Sequence, residues 1–268
     1  MNKISIIIPV GNDSRICQCL QSIEQQLSID GLEVILINNN CDQRVKKIID
    51  QYVDRIPLVS IDSSSDNIGL LRNLAIKNAS SDIFYFVDSD CILRKDAISN
   101  AIMSGMMNDV TRGYIEFQGT SRIAQLDALL RQQRYASDLY FAYCPNLVVR
   151  RNVFENIGLF NENFKYGSDG EFAKRLRERG INCSYNAEMS IIHRSPELNS
   201  EIIKRWVQYG EGRRRRFKYS TLPEKIKGLF TPILFDLSEG VGYNVVVGLC
   251  LASRWYGWIK SSLIENDR

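Results

Sequence analysis

The sequence predicts an α/β fold, a mostly parallel mixed sheet with helices on both faces, carrying a C-terminal helical extension. Three observations predict it. Continuous β-branched and aromatic runs, ISIIIP (residues 4–9), EVILI (33–37) and IFYFV (83–87), read as strands buried on both faces. Helical segments of about ten residues alternate with them, the βαβ rhythm of a parallel sheet. Beyond Pro196 the composition turns basic and aromatic, with an arginine run from Arg213 to Arg216. With 268 residues, 44% apolar and 24% charged, the chain can bury a substantial core and is neither disordered nor fibrous in composition.

The elements follow in order. The first strand, 4–9, is closed by Pro9 and Gly11. Ser14 is read as the N-cap of a helix reaching Leu27, because Ile16, Leu20, Ile23 and Leu27 recur at helical spacing. The strand at 33–37 ends in Asn38, Asn39 and Asn40. A helix at 45–53, a short strand at 58–61, a helix at 69–78 and the strand at 83–87 complete the first half. Strands at 113–118 and 146–150, helices at 122–136 and 171–179, and a strand ending at 190–193 make up the second.

Bulk properties narrow the class. The 34 basic and 31 acidic residues leave a net charge of +3, so no nucleic-acid partner is expected. Seven cysteines without a C-x-x-C pair read as reduced thiols of a cytoplasmic protein. The N-terminal apolar run is too short for an export signal, and the longest uncharged stretch, 240–253, is shorter than the roughly 18 residues that a spanning helix requires.

In a parallel sheet, ligands sit beyond the carboxyl ends of the strands. That rule nominates the loops at 10–13, 38–42 and 88–91. Asp88-Ser89-Asp90 leaves the buried IFYFV strand with two carboxylates at a spacing that lets both approach one divalent cation, magnesium or manganese. Read alone, the triplet is also a polar turn before a helix. His193, the one histidine of the chain, follows Ile191 and Ile192 and is either a structural residue or a third ligand. Asp169 opens a helix, where the dipole keeps a carboxylate ionised; it is either a plain N-cap or a general base. Asn67, Gly69 and Arg72 begin another helix, the glycine freeing the backbone and the arginine reaching toward a diphosphate, unless N-x-G is only a turn. The arginine run 213–216 is either a solvated block or a contact with phosphate or anionic lipid. Trp206, Tyr209, Phe217 and Tyr219 beside it favour a surface that meets lipid or saccharide.

In series, these motifs resemble the inverting family 2 glycosyltransferases, which have the Rossmann-like GT-A fold. The resemblance covers residues 3–215. ISIIIPVGN is similar to the family's opening strand, EVILINNN to its second strand, NIGLLRN to its nucleotide-holding segment and FVDSD to its metal-binding D-x-D. LVVRRNVFENIGLFNENFKYGSDGEFAKRLRERG resembles the acceptor-side signature, with Asp169 six positions before Arg175, and IIHR the strand that supplies a late histidine. The resemblance implies a nucleotide-diphosphate sugar held by Pro9, Val10, Gly11, Asn38, Asn67, Gly69, Arg72, Asp88 and Ser89. It further implies a manganese or magnesium ion on Asp88, Asp90 and His193, and Asp169 as the base that deprotonates a hydroxyl acceptor. Residues 1–118 become the nucleotide-sugar half of the domain, 119–196 the acceptor half and 197–268 the extension.

Four positions depart from the family pattern. Gly11 stands where a base-stacking aromatic is common, Asn38 where an aspartate is common, and Ser168 where a glutamate commonly precedes the base. Lys204-Arg205-Trp206 resembles part of the Q-x-x-R-W motif of processive synthases, but Ile202 takes the glutamine position, so transfer of a single sugar is expected. The acceptor is expected to be a saccharide or lipid-linked saccharide of a cell-surface polysaccharide. The extension would lie on the inner membrane face, or pack on the core or on a second subunit in a homodimer. Two rival enzymes lack support: no basic glycine-rich loop follows the first strand, as a nucleotidyltransferase needs, and no G-x-G-x-x-G, as a dehydrogenase needs. A degenerate binding or scaffold subunit is the remaining alternative, favoured by Gly11 and Asn38 and opposed by Asp88, Asp90, Asp169 and His193.

Overall fold

The β-branched runs bury both faces because helices cover each side of the sheet they form. The computed structural model describes residues 4–27, 29–136, 138–196 and 198–218, together with 252, 255 and 256. The elements are β1 (Ile4–Val10), α1 (Ile16–Glu24), β2 (Leu32–Asn39), α2 (Gln43–Asp50), β3 (Leu58–Ser63), α3 (Ile68–Asn78), β4 (Ile83–Val87), β5 (Cys91–Leu93) and α4 (Ala97–Met107). There follow β6 (Val110–Gln118), α5 (Arg122–Ala136), β7 (Asn146–Arg150), α6 (Arg151–Ile157), α7 (Ser168–Glu178), β8 (Ser184–Arg194) and α8 (Asn199–Lys218). Most of the extension, including the stretch expected to meet membrane or a second subunit, lies outside the described residues, as do the side chains of Arg213 to Arg216.

The eight strands form one sheet in the order β3-β2-β1-β4-β7-β6-β8-β5. Four of the seven pairings are parallel; β7 runs antiparallel to β4 and β6, and β5 antiparallel to β8. The two-residue alternation of a strand divides the core. Ile6, Ile8, Val34, Leu36 and Tyr85 pack on one side with Ile16, Leu20 and Val45, whereas Ile7, Ile35, Phe84 and Phe86 pack on the other with Leu71, Phe154 and Phe172. Each such buried side chain contributes roughly 1.5–3 kcal/mol relative to exposure.

A register shift lies between β6 and β8 at Gly113/Tyr114. There a Cβ on Gly113 would fall 2.1 Å from the Met189 carbonyl oxygen, so only glycine permits the approach.

Local chemistry corrects three sequence expectations. Helix α1 starts at Ile16 without a side-chain cap from Ser14; Asp13 instead accepts from the Arg15 backbone N–H (3.0 Å) and pairs with the Arg15 guanidinium. The helix stops at Glu24, and Leu27 is partly exposed in the turn that follows. Elements β5 and α6 were not anticipated, the first because three residues carry no readable period; the helix read after the Asp88-Ser89-Asp90 turn is α4, with Asp96 at its N-cap. The six described cysteines are free thiols, all but Cys17 buried. Among the described residues, no helix is long and apolar enough to cross a membrane.

Candidate active site

Strand β4 runs straight into Asp88-Ser89-Asp90, and the chain turns back as β5, whose Cys91 pairs with His193 of β8. That pairing sets the late histidine beside the early carboxylates. His193 Nε2 lies 3.4 Å from Asp90 Oδ1 and 3.8 Å from Asp88 Oδ2. Asp88 is 31% open to solvent whereas Asp90 and His193 are buried, so access to the cluster is over Asp88. Burial lowers the His193 pKa and the Arg131 charge lowers it further, against the pull of Asp90 and Asp88, which keeps the imidazole neutral. Burial alone would raise Asp88, but hydrogen bonding to His193 and the charges of Arg72 and Arg131 hold it at about 2.

Two carboxylates and a neutral imidazole converging in this way fit a hard divalent cation. The Cys91 thiol also lies near Asp90 and His193, the three ligand atoms being within 4.8 Å of one another. Its thiol is a poor candidate: burial and the Asp90 and Asp88 charges push its pKa well up, and its Sγ donates to the Pro145 carbonyl at 3.9 Å. Asp88 is the better third ligand.

Four arginines surround the cluster. Arg72 Nη2 is 3.2 Å from Asp88 Oδ1, and the Nη2 atoms of Arg15 and Arg205 each lie 3.5 Å from Asp90 Oδ2. Arg131 Nη2 lies 3.0 Å from His193 Nε2 and 3.5 Å from Nδ1, which sets the guanidinium against the face of the imidazole. Arg15 also pairs with Asp13 and Arg205 with Asp127, so the charges nearly balance.

Asp169 sits in the first turn of α7, behind Gly167 in the left-handed region (φ 77°), and its Oδ1 accepts from the Gly170 N–H (2.8 Å). Burial opposes the charge on Arg72, but Cys144, Asp88 and Asp169 raise its pKa. The loop ahead of Asp169 is held by α8: Gln208 donates to the Tyr166 hydroxyl (3.2 Å), and a Cβ on Gly212 would lie 2.7 Å from the Tyr166 carbonyl oxygen.

Pro9, Val10, Gly11 and Asn38 stand together at the carboxyl ends of β1 and β2, with Val10 opposite Asn38. Asn38 donates to Ser60 (2.6 Å) and Asp62 (3.2 Å), which leaves its buried Oδ1 without a partner. A Cβ on Gly11 would meet only the Asn39 carbonyl, at 4.0 Å, so the place of a stacking ring is open. Ser89 is half-buried between the two aspartates.

Asn67 caps α3, its Oδ1 accepting from Gly69 and Leu70, and its Nδ2 donates to the Glu162 carbonyl. Gly69 makes room for α7, since a Cβ there would lie 3.2 Å from Ser168 Cβ. Arg175, six positions after Asp169, points elsewhere: it pairs with Glu171 and donates to the carbonyls of Ile157, Gly158 and Leu159.

Sequence reasoning missed Arg15, Asp127 and Arg131 and met Arg205 only as a motif fragment. Asp127 and Arg131 had a signal: they are charged residues four apart on the same buried stripe of α5 as Ala124, Ala128 and Tyr135. Asp127 is fully buried, accepts from Ser195 (2.8 Å) and Trp206 Nε1 (2.8 Å), and is 3.5 Å from Arg205. Asp127→Ala would strand those donors and is expected to cost about 3–5 kcal/mol. A fall in Tm on the order of 10 °C in a thermal melt checks this; an unchanged Tm contradicts it.

The family model described as Glycosyl transferase family 2 matches residues 5–158. The glycosyltransferase AglE of Haloferax volcanii is 25% identical over 221 residues, 78% of this chain and 72% of that protein. The O-antigen chain rhamnosyltransferase RfbN of Salmonella typhimurium is 26% identical over 232 residues, covering 78% of this chain and 71% of its own. Among solved structures, the mannosyltransferase PcManGT from Pyrobaculum calidifontis, in complex with GDP-Man and Mn2+, superposes with a TM-score of 0.61 at 12% identity, over 94% of this chain and 73% of that one.

Proposed function

Because the chain belongs to glycosyl transferase family 2, with a GT-A-like fold and a sugar nucleotide as donor, we propose that it transfers one sugar with inversion to a hydroxyl of a saccharide or lipid-linked acceptor. The product is a cell-surface polysaccharide or its precursor, as the name of RfbN suggests for that relative. One observation carries the reading: His193 Nε2 lies 3.4 Å from an Asp90 carboxylate oxygen and 3.8 Å from one of Asp88, inside a ring of arginines suited to a diphosphate.

Residues of the 1–118 half hold the donor. Pro9, Val10, Gly11 and Asn38 face the nucleoside, the orphan Asn38 Oδ1 accepting from a base N–H; Asn67, Arg72, Asp88 and Ser89 lie along the ribose and diphosphate. Asp88, Asp90 and His193 would hold a manganese or magnesium ion, which when bound stabilises the charge gathering on the departing diphosphate. The 119–196 half presents Asp169, which takes the proton from the acceptor hydroxyl as that oxygen attacks the anomeric carbon from the face opposite the diphosphate.

The open space at Gly11 carries a gain-of-affinity prediction. Gly11→Tyr places a ring where a base can stack and is expected to tighten binding of the cognate nucleoside diphosphate roughly tenfold. Calorimetry reads it; no tightening would mean that the base lies elsewhere.

The function itself is tested by a screen of nucleotide sugars with and without Mn2+, reading thermal stabilisation and slow donor hydrolysis. One donor class should stabilise the protein and be hydrolysed. Stabilisation without hydrolysis or transfer would instead support the scaffold reading that Gly11 and Asn38 favour, and no stabilisation by any donor would overturn both.

A further inference from the structure

We propose that the cavity between the first turn of α1 and the carboxyl ends of β6 and β8 binds a phosphate group, free or as a monoester, held by Arg194 with the hydroxyls of Ser14 and Thr120. The site goes beyond the metal and donor reading and is tested apart from it.

The cavity encloses about 350 Å³, and Ser14, Arg15, Gln18, Thr120 and Arg194 are among the residues that line it. Its α1 wall places it on the face of the sheet where Ile16 and Leu20 pack, whereas α7, which carries Asp169, packs through Phe172 on the opposite face. Gln18 and Thr120 are exposed, so the cavity is reached from solvent. Arg15 stands between it and the carboxylate cluster: Nη2 faces Asp90 at 3.5 Å, and Nη1 donates to the Arg194 carbonyl at 2.9 Å. Because Arg15 also pairs with Asp13 at 2.7 Å, its charge is already matched.

Arg194 is in the opposite condition. Its backbone is fixed, the N–H donating to the Asp90 carbonyl at 3.0 Å, yet among the described residues no acceptor meets its guanidinium, and its Nε is buried without one. The hydroxyls of Ser14 and Thr120 likewise have no partner among the described residues; Ser14 has the place of a helix cap, but α1 begins without a side-chain cap. A buried donor without an acceptor is costly, and an oxyanion in the cavity removes that cost. The Nε–H and the adjacent Nη–H form a fork that takes two oxygens of such an anion. A carboxylate is exhausted by that fork, whereas a phosphate keeps further oxygens out of its plane for hydroxyl donors on α1 and on the turn between β6 and α5. The volume leaves room for part of the group that carries the phosphate. Glu201 of α8 also acts on Arg15, but it is exposed, where water and salt screen its charge, and it forms no ion pair with Arg194.

The test uses the untagged full chain without metal and calorimetric titrations of inorganic phosphate and of glycerol 3-phosphate at constant ionic strength. The wild type should bind, and Arg194→Gln should weaken binding about tenfold or more, the loss expected when a charged hydrogen-bond donor is removed. That variant should melt no lower than wild type, because the guanidinium it replaces has no partner to lose. Thr120→Val, on the exposed rim, should weaken binding roughly threefold and serves if Arg194→Gln does not fold. Arg72→Gln, which alters the contact proposed for the donor's diphosphate, should bind phosphate as the wild type does. The proposal is overturned if the wild type binds neither probe, if Arg194→Gln binds as tightly as wild type, or if Arg72→Gln is the variant that loses binding, which would place the anion in the donor's own site. Sedimentation with phosphatidylcholine vesicles, with and without phosphatidate, identifies the source. Phosphatidate-dependent binding that Arg194→Gln abolishes assigns the phosphate to a lipid headgroup, and Arg194-dependent binding of glycerol 3-phosphate without it assigns the phosphate to a soluble ester.

Discussion

Asp169→Asn is expected to lower the rate of transfer by about 10²- to 10⁴-fold, the contribution of a positioned general base, while donor affinity stays near that of the wild type. The amide has the shape of the carboxylate, and its oxygen can still accept from the Gly170 N–H, so the start of α7 is preserved. What it loses is the capacity to take a proton from the acceptor. Steady-state kinetics paired with donor calorimetry read the two effects separately. Turnover close to wild type would remove Asp169 as the base, and a collapse of donor affinity would show that its charge serves the diphosphate through Arg72 instead.

Asp90→Asn ranks second. Asp90 is the carboxylate with most partners, its Oδ1 toward His193 and its Oδ2 toward Arg15 and Arg205. Removing its charge takes away a cation ligand and leaves two guanidiniums with a weaker acceptor. The expected result is a fall of about 10²- to 10³-fold in kcat, the scale of losing one electrostatic stabiliser of a leaving group, together with loss of Mn2+-dependent donor binding. A melting curve is the control, because the stranded arginines also cost stability. Undiminished Mn2+-dependent binding in a folded variant would contradict the metal assignment.

The parts of the fold that were legible in the sequence are those with their own local signal. The runs at 4–9 and 83–87 declare buried strands by composition, and α5 and β7 occupy the stretches 122–136 and 146–150 read from periodicity. The cluster itself depends on something no local pattern carries: the three-residue strand β5, whose antiparallel pairing sets His193 opposite Cys91. Ligand types could be named from the sequence, but their meeting is a tertiary fact. Arg15 and Arg131 escaped notice because an arginine in a sequence reads as surface charge, and only the fold turns these inward onto Asp90 and His193. Gly69 shows the converse. Its spacing was read as room for a ligand, and in the structure the space is taken by the start of α7.

The chain contains a single histidine, which makes the central claim open to one spectroscopic measurement. Electron spin echo envelope modulation of Mn2+ bound to the untagged protein, in the presence of pyrophosphate, reports a directly coordinated imidazole nitrogen. The nitrogen modulation is expected in the wild type and absent in His193→Ala. Bound Mn2+ without that modulation in the wild type would mean that the cation sits away from His193, and that Asp88, Asp90 and His193 do not form one metal site.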